Sequence, residues 1–416
     1  MGASVDKRFF GFYTKIVSLC FCDAGILIAA RSERIFMNEE KIDMGKKTEF
    51  LFMSEPDCIA AGVLDAKKCV DNAEEVFKLL AQGDYLMGGN TRNSHGMPLV
   101  FPKESPFPNM PIAGPDRRFV AMPAYLGGRF NVCGVKWYGS NAANKQNGLP
   151  RSVLTVMLNN KETGEPLCLL SANLSSAART GAVPAVGVGY LARKDSEVLV
   201  CVGCGPIGRG CLDAIVTVMP NLKKVICVNR SPANAISMAE HVKNDLGYEA
   251  IVEPDLETAV RQGDVISVAA SRTAPLHFKR EWIKPGCTIV ASGPMMCDEQ
   301  LWLDMDIVLD NIALHETYVK DGKEAGDPTY GNHIGTPIYQ LIDAGKEPPL
   351  EEFKVLGKII LGEQEGRVND DQIIWFLNDG MAVFDMGLCS DLYNTALEQG
   401  IGPKLTLWER ADQCED

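Results

Sequence analysis

The sequence has a deficit of positive charge. Its 41 lysines and arginines are outnumbered by 54 aspartates and glutamates, and the formal net charge is −13 at pH 7. Nucleic acid and anionic membranes repel a chain of that charge, and no block of basic residues opposes the trend. We therefore expect neither nucleic acid nor a membrane among its partners.

The sequence also lacks the patterns that hold metals. There is no CxxC pair, and none of the five histidines has metal-ligand spacing: His95, His241, His277, His315 and His333. The 14 cysteines lie mostly singly inside apolar runs, which is typical of reduced core thiols and not of a disulfide framework. We predict no metal site and a cytoplasmic location.

No hydrophobic run is long enough to span a bilayer. The apolar run at 16–30 follows basic residues and superficially resembles a signal peptide, but it is short and contains Asp23. We expect residues 1–47 to be a leader of uncertain role that the fold does not need. With 416 residues, the chain should form about two or three domains.

A dinucleotide-binding pattern occupies the middle of the chain. The apolar runs 198–202 and 225–228 each predict a buried parallel strand, and a Gly-x-Gly-x-x-Gly turn followed by helical spacing lies between them. This is the order of a dinucleotide-binding βαβ unit. We expect the first glycine to allow the turn, the second to let a pyrophosphate approach, and the third to let the helix pack against its strand. The expected cofactor contacts in the turn are Gly203, Gly205, Pro206, Ile207 and Gly208.

The end of the second strand bears on the choice of cofactor. An NAD site usually has an acid there to accept the ribose hydroxyls, whereas this chain has Asn229, Arg230 and Ser231. Arg230 can pair with a 2′-phosphate that an acid would repel. The sequence therefore favours NADP(H). NAD(H) stays possible, because Arg230 can also be a solvated charge at a strand end.

Alternating strands and helices predict an α/β fold with a doubly wound, Rossmann-type parallel sheet over 191–337. Met305–Leu309 is predicted to close that sheet, and 319–337 to be a polar linker. Residues 48–190 and 338–416 are predicted to form a second, α+β domain around it. Its predicted strands are 119–122, 131–138, 152–159 and 166–171, with a hairpin turn at 160–164 and a helix over 175–191.

Several ordered motifs from about residue 50 to the C-terminus together resemble the ornithine cyclodeaminase/μ-crystallin family. They are MPAYLGG (122–128), GVKWYGSN (134–141), the TG turn (163–164), SSAARTGA (175–182), GCGPIG (203–208) and GRVNDDQIIWFLNDGMAVFD (366–385). The resemblance implies a Rossmann domain inserted in a substrate-binding and dimerisation domain made from both chain ends. It also implies a homodimer.

The resemblance implies roles for individual residues. Lys136 matches a lysine beside the substrate α-carbon, and Arg179 matches an arginine that clamps the substrate carboxylate. Arg92 matches a second carboxylate-binding arginine. Three residues are expected to lie against the cofactor: Thr180 at the phosphates, and Ala270 and Ser271 near the nicotinamide. We expect burial and Arg179 to lower the pKa of Lys136, so that it can act as general acid and base.

One position departs from the family. Ornithine cyclodeaminases have an aspartate where this chain has Pro294 and Met295, which cannot exchange a proton. The remaining set suits an NAD(P)(H)-dependent oxidoreductase that transfers hydride at the α-carbon of a small amino or imino acid, as an imine reductase or amino acid dehydrogenase. Two alternatives stay open. One is a deaminating cyclodeaminase that recycles NAD and takes a carboxylate from elsewhere, and the other is a nonenzymatic, crystallin-like protein that binds NADPH and a small ligand.

Four further residues stay open at this stage. His95 is a loop histidine or a neighbour of the cofactor. Asp385 touches the active site or cofactor, or else serves as a charge at a helix N-terminus. Cys204 and Cys297 have no evident base partner, so a structural role is favoured for both.

Overall fold

The computed structural model describes residues 46–270 and 276–411. The leader expected over 1–47 lies outside the described residues except for its last two positions, and Ser271 lies in the gap. Within the described ranges, no helix has the length and apolar character needed to cross a membrane. The described cysteines are unpaired and, apart from the half-buried Cys133, buried.

A mixed eight-stranded sheet forms one side of the molecule. Its strands run in the order β18-β1-β7-β6-β5-β4-β2, and β3 pairs with β4 beside β2. All pairs are antiparallel except β1 with β7. The strands are β1 (Thr48–Met53), β2 (Tyr85–Met87), β3 (Met97–Val100), β4 (Arg118–Leu126), β5 (Val132–Ser140), β6 (Ser152–Asn159), β7 (Pro166–Ser171) and β18 (Lys404–Trp408).

A second eight-stranded sheet is entirely parallel, in the order β10-β9-β8-β11-β13-β17-β15-β16. Its strands are β8 (Val198–Val202), β9 (Lys224–Val228), β10 (Glu249–Val252), β11 (Val265–Val268), β13 (Thr288–Ala291), β15 (Met305–Leu309), β16 (Lys354–Val355) and β17 (Ile373–Leu377). The first five places follow the Rossmann order 3-2-1-4-5. The predicted α/β class with a doubly wound parallel sheet is confirmed. The short strands β12 (Leu276–Phe278) and β14 (Met295–Cys297) pair separately.

Helices cover both sheets. They are α1 (Glu55–Ala60), α2 (Ala66–Gln82), α3 (Asn173–Leu191), α4 (Pro206–Ile215), α5 (Pro232–Asn244), α6 (Leu256–Val260), α7 (Glu299–Asp304), α8 (Ile312–Ala325), α9 (Thr336–Asp343), α10 (Leu356–Ile360) and α11 (Ala382–Gln399). Short 3₁₀ helices occur at Ala142–Asn147, Arg280–Trp282, Tyr330–Asn332 and Leu350–Glu352. The buried side chains form one continuous core across the described chain.

The long helix α3 joins the two sheets because its small residues permit a very close approach to α4. A Cβ on Gly181 would lie only 2.2 Å from the carbonyl oxygen of Gly210, so the two backbones touch there. Other small side chains, Ala182 and Ala185, are fully buried on the same helix. The alanine- and glycine-rich composition of α3 therefore sets the short distance between α3 and α4.

The chain after residue 305 differs from the sequence-based expectation. Met305–Leu309 does not close the parallel sheet, because β17 lies between it and β13, and β16 lies beyond it. Residues 319–337 are not a linker, since α8 covers their first part and α9 begins at Thr336. The parallel sheet thus takes a central strand from beyond the domain limit expected at residue 337. The run 373–377 is wholly buried, as a central strand requires.

Candidate active site

A cleft of about 730 Å³ lies where the glycine-rich turn after β8 faces the mixed sheet and α3. One wall comes from the parallel sheet and carries Gly203, Gly205, Asn229 and Arg230. The opposite wall comes from β5 and α3 and carries Lys136, Tyr138, Ser176 and Arg179. The structure thus brings the expected dinucleotide site and two of the three expected catalytic residues, Lys136 and Arg179, into one cavity.

The three glycines of the turn have three different surroundings. Gly203 has φ +105°, a left-handed conformation that side chains rarely adopt, and its N–H donates to the carbonyl of Val228 at 2.8 Å. A Cβ on Gly208 would lie 1.9 Å from the carbonyl oxygen of Gly203, so only glycine fits there. A Cβ on Gly205 would meet no atom within 4 Å. Gly205 is therefore the glycine whose exposed backbone a phosphate can approach.

The start of α4 offers unpaired donors to that same space. Gly205 is the N-cap residue and supplies no side-chain cap, and Pro206 occupies the first turn. The N–H groups of Ile207 and Gly208 therefore remain for a ligand, and the helix dipole adds a partial positive charge. These features fit the pyrophosphate of a nicotinamide dinucleotide.

The end of β9 uses its amide side chain to shape the turn. The Asn229 Oδ1 accepts from the backbone N–H of Cys204 at 3.1 Å, and its Nδ2 donates to the carbonyl of Ser231 at 3.0 Å. Arg230 and Ser231 are exposed at the cleft wall. Asn229 thus organises the loop, while Arg230 and Ser231 have side chains available to a ligand.

Lys136 points into the protein because it lies on a central strand of the mixed sheet. On β5 it pairs with Met122 of β4 and Val156 of β6, and it is 3% exposed, whereas the next residue, Trp137, faces outward. Its Nζ donates to the two carboxylate oxygens of Asp385 at 3.0 and 3.2 Å.

The ammonium group has a further partner on α3. Its Nζ also donates to the Oγ of Ser176 at 3.2 Å. Strand alternation therefore buries a cation and surrounds it with fixed acceptors.

The pKa of Lys136 is lowered from 10.5 to about 8, chiefly by burial and next by the charge of Arg179. Asp385 opposes the shift, but burial dominates. The expected lowering of the Lys136 pKa is confirmed. The lysine therefore changes protonation state close to neutral pH, as a general acid and base must.

Arg179 shares the same carboxylate and keeps its terminal groups free. On α3, its Nε donates to the Oδ1 of Asp385 at 3.2 Å, and its side chain is 9% exposed. Among the described residues, neither terminal amino group has a hydrogen-bond partner. Two cations thus face one carboxylate, which leaves positive charge and two parallel donors for an anionic ligand.

Asp385 is the central acceptor of the site, and the sequence alone left its role open. It lies in the first turn of α11 and is fully buried. α11 can lie directly over β5 because Gly134 has no side chain, and a Cβ there would be 2.6 Å from the sulfur of Met386. The available signal was an acid inside the apolar run that opens α11, residues 382–389.

Sequence reasoning missed Ser176 and left His95 open. Both line the cleft. The His95 Nδ1 bonds to the carbonyl of Gly380. No spacing rule marked either residue, because they approach the lysine only through packing.

The other expected site residues are divided between the cleft and its surroundings. Ala270 lines the cleft. Thr180 lines a small adjoining cavity of about 50 Å³, and its hydroxyl donates to the carbonyl of Ser176. Arg92 is exposed, with φ +60°, and is not among the described residues that line the cleft. Ser271 lies outside the described residues.

The residues at the position of the family aspartate lie outside the lining of the cleft. Met295 is 2% exposed and pairs with Leu276 of β12, and neither it nor Pro294 lines the cleft. Within residues 46–270 and 276–411, no cluster of three histidine, cysteine, aspartate or glutamate side chains could hold a metal ion. Asp385 is thus the acid that the described structure places against the lysine.

Comparisons with known proteins agree with this geometry. Delta(1)-pyrroline-2-carboxylate reductase of Bacillus cereus is 32% identical over 297 residues, which are 71% of this chain and 87% of the relative. A solved structure of the Thermococcus litoralis enzyme of the same name, in complex with NADH and L-proline, has a TM-score of 0.70. It is 25% identical and covers 85% of this chain and 99% of its own.

An archaeal alanine dehydrogenase dimer with bound NAD has a TM-score of 0.68 and is 26% identical, and it covers 87% of this chain and 100% of its own. These comparisons confirm the predicted oxidoreductase class and a nicotinamide cofactor. The family model for ornithine cyclodeaminase/mu-crystallin matches residues 64–400. The chain therefore belongs to the ornithine cyclodeaminase/mu-crystallin family.

Proposed function

We propose that this protein is an NADP(H)-preferring oxidoreductase that transfers hydride at the α-carbon of a small amino or imino acid. The observation that carries the proposal is Lys136, a buried lysine with a pKa of about 8, in a cleft whose opposite wall is a dinucleotide-binding turn. A buried cation is costly, and a perturbed lysine in a cleft is typical of a catalytic group.

Each residue of the cluster has a distinct task in this proposal. The free terminal amino groups of Arg179 hold the substrate carboxylate, which fixes the α-carbon in the cleft. Lys136 exchanges the proton that accompanies the change between amine and imine. Asp385 accepts hydrogen bonds from Lys136 and Arg179 and so fixes the positions of both side chains. When bound at the glycine turn, the nicotinamide supplies or accepts the hydride.

The names of the relatives support a reaction at the carbon–nitrogen bond of an amino or imino acid. A pyrroline-2-carboxylate reductase and an alanine dehydrogenase are both named for redox chemistry at a carbon–nitrogen bond beside a carboxylate. We infer that this chain acts on the same kind of bond, as an imine reductase or amino acid dehydrogenase.

The preference for NADP(H) is proposed from Arg230 and Ser231 at the cleft wall. Arg230 supplies the charge that a 2′-phosphate needs, and the loop held by Asn229 presents no acid there. The two solved relatives hold NADH and NAD, so both cofactor forms belong in the assay.

One alternative activity has a specific observation behind it. A cyclodeaminase without the family aspartate needs a carboxylate from elsewhere, and Asp385 stands against Lys136 at 3.0 Å. The same carboxylate also accepts from Arg179, which leaves it little freedom to exchange protons with a substrate. The oxidoreductase is therefore the function that the geometry supports best.

We also propose a homodimer formed through the outward face of the mixed sheet. That face exposes large apolar side chains: Met97 (71% exposed), Leu99, Phe119, Trp137 and Val153. The rings of Phe119 and Trp137 stack there with centroids 5.5 Å apart. An apolar patch of this kind marks an interaction site, and the solved alanine dehydrogenase relative is a dimer. A cytoplasmic location is proposed from the free, buried thiols.

The proposed function can be tested by following NADPH and NADH absorbance with purified protein. The panel contains cyclic imino acids, α-keto acids with amines, and amino acids including ornithine, with ammonia assayed in parallel. We expect substrate-dependent NADPH consumption, which Lys136→Met abolishes while NADPH binding stays intact. The exposed Lys223→Met is the matched control.

The other outcomes are distinct. Ammonia release from ornithine at constant absorbance would support the cyclodeaminase instead. NADPH binding without turnover of any imine or amine would identify a binding protein. Full turnover by Lys136→Met would remove the lysine from the mechanism.

A further inference from the structure

The ring of His95 lies at the boundary between two cavities. It lines the active-site cleft together with Lys136 and Arg179, and it also lines a neighbouring cavity of about 710 Å³ beside Tyr318 and His333. Its position is fixed by the hydrogen bond between Nδ1 and the carbonyl oxygen of Gly380.

That bond fixes the tautomer. A carbonyl oxygen can only accept, so Nδ1 carries the hydrogen and donates it. In the neutral ring, Nε2 then bears a lone pair and acts as an acceptor. No other hydrogen bond joins His95 to the described part of the chain, so this acceptor is available to a ligand.

The surroundings keep the ring neutral. Burial lowers the pKa of His95, and the positive charges of Lys136 and Arg179 lower it further, while Asp379 opposes them. The His95 ring also lies beside the terminal amino groups of Arg179: a Cβ on Gly380 would lie 3.1 Å from the His95 Cε1 and 3.6 Å from the Arg179 Nη1. The His95 ring and the Arg179 donors therefore both approach Gly380, and both residues line the active-site cleft.

In an α-amino or α-imino acid, the nitrogen is separated from the carboxylate by one carbon. We propose that His95 is a specificity-determining residue whose Nε2 accepts a hydrogen bond from an N–H of the substrate nitrogen. This inference rests on the proposed function. It restricts the substrates to those whose nitrogen carries a hydrogen, namely primary amines, secondary amines and protonated imines. It disfavours an ether or carbonyl oxygen at the same place, because such an oxygen can only accept.

A pair of ligands tests the inference by equilibrium binding and without turnover. L-Proline carries N–H donors, whereas tetrahydrofuran-2-carboxylate has an ether oxygen that can only accept. We expect the NADPH-loaded wild-type protein to bind L-proline about tenfold more tightly, the scale of one buried hydrogen bond. His95→Phe keeps an aromatic ring and should remove that preference, and His95→Gln, with its amide oxygen, should restore part of it.

A merely structural role predicts something different. Damage to the site by His95→Phe would weaken both ligands equally and leave their ratio unchanged, which would overturn the inference. Equal binding of the two ligands by wild-type protein, or binding of neither, would also overturn it. The proposed function fails separately, through absence of NAD(P)H-linked turnover in the substrate panel.

Discussion

At the scale of single residues, the site depends on one buried lysine between an acid and a second cation. Lys136 and Arg179 both reach the Asp385 carboxylate. A buried charge is stable only when it is paired, and the second cation leaves the pair with surplus positive charge. This surplus attracts a carboxylate. Burial, with a smaller contribution from the charge of Arg179, lowers the pKa of Lys136 to about 8.

That pKa predicts that kcat/KM depends on pH in opposite ways for reduction and for oxidation. Reduction needs the ammonium form of Lys136 as an acid, so its kcat/KM should be level below pH 8 and fall tenfold per pH unit above it. Oxidation needs the neutral amine, so its kcat/KM should rise up to pH 8 and then level off. Stopped-flow or steady-state rates from pH 6 to 9.5 measure both. Reduction that stays level to pH 9.5 would contradict the assignment.

A second residue-scale prediction concerns the cofactor. Arg230→Ala should weaken NADPH binding about tenfold and change NADH binding less than twofold, because only NADPH carries the 2′-phosphate that the guanidinium pairs with. Fluorescence titration measures both affinities. Lys223→Ala, on the loop before β9, should leave them unchanged. Equal weakening of the two cofactors by Arg230→Ala would reject the 2′-phosphate contact.

At the scale of elements, α3 and α4 hold the two walls of the cleft at a fixed distance. Gly181 makes this possible, since any Cβ there would meet the backbone of Gly210 at 2.2 Å and of Cys211 at 2.7 Å. The helix that carries Arg179 is therefore packed backbone to backbone against α4.

Gly181→Ala should therefore lower the free energy of unfolding by about 1–3 kcal/mol, the usual cost of overpacking. Gly189→Ala on the same helix is the matched control, because its Cβ would meet Val218 at an ordinary 3.6 Å. It should be neutral or stabilise by up to about 1 kcal/mol, through helix propensity. Urea denaturation of both variants gives the comparison. Equal effects would show that the close approach does not limit stability.

Local pattern was enough to locate many elements. The strands β6 and β7 have the bounds that alternation and the intervening turn predict, and α3 begins two residues before its predicted start. The short strands β2 and β3 lie in a glycine-rich segment without alternation, and they form only because β4 offers them a partner. Strand pairing, and not the hydrophobic pattern of the sequence, therefore determines β2 and β3.

At the scale of the whole molecule, the exposed face of the mixed sheet predicts association. Phe119→Glu places a charge on that apolar face and should convert a dimer to a monomer in sedimentation velocity. Ile236→Glu is the control, because Ile236 is similarly exposed but lies on α5 of the parallel-sheet side. A monomeric wild-type protein, or a Phe119→Glu variant that stays dimeric, would reject this interface.

The strand order of the parallel sheet is likewise a property of the whole molecule. Central strand β17 comes from residues 373–377, far along the chain from its neighbour β13. The preceding sequence suggested that the sheet ended at β15. The position of a strand in the sheet depends on how the connections before and after it pack over the sheet. The strand order therefore cannot be read from any local run of residues.

The sequence by itself determined the glycine turn, the α/β class and the nicotinamide cofactor, because these are set by local spacing and by motifs. Lys136 and Arg179 were predicted as site residues through the resemblance to the family. Only the tertiary structure decided that Asp385 joins them, that His95 lines the same cleft, and that Arg92 does not. Residues separated by some 250 positions meet there through packing of α11 on β5. Burial, and with it the pKa of the lysine, is a property of that packing and not of any stretch of sequence.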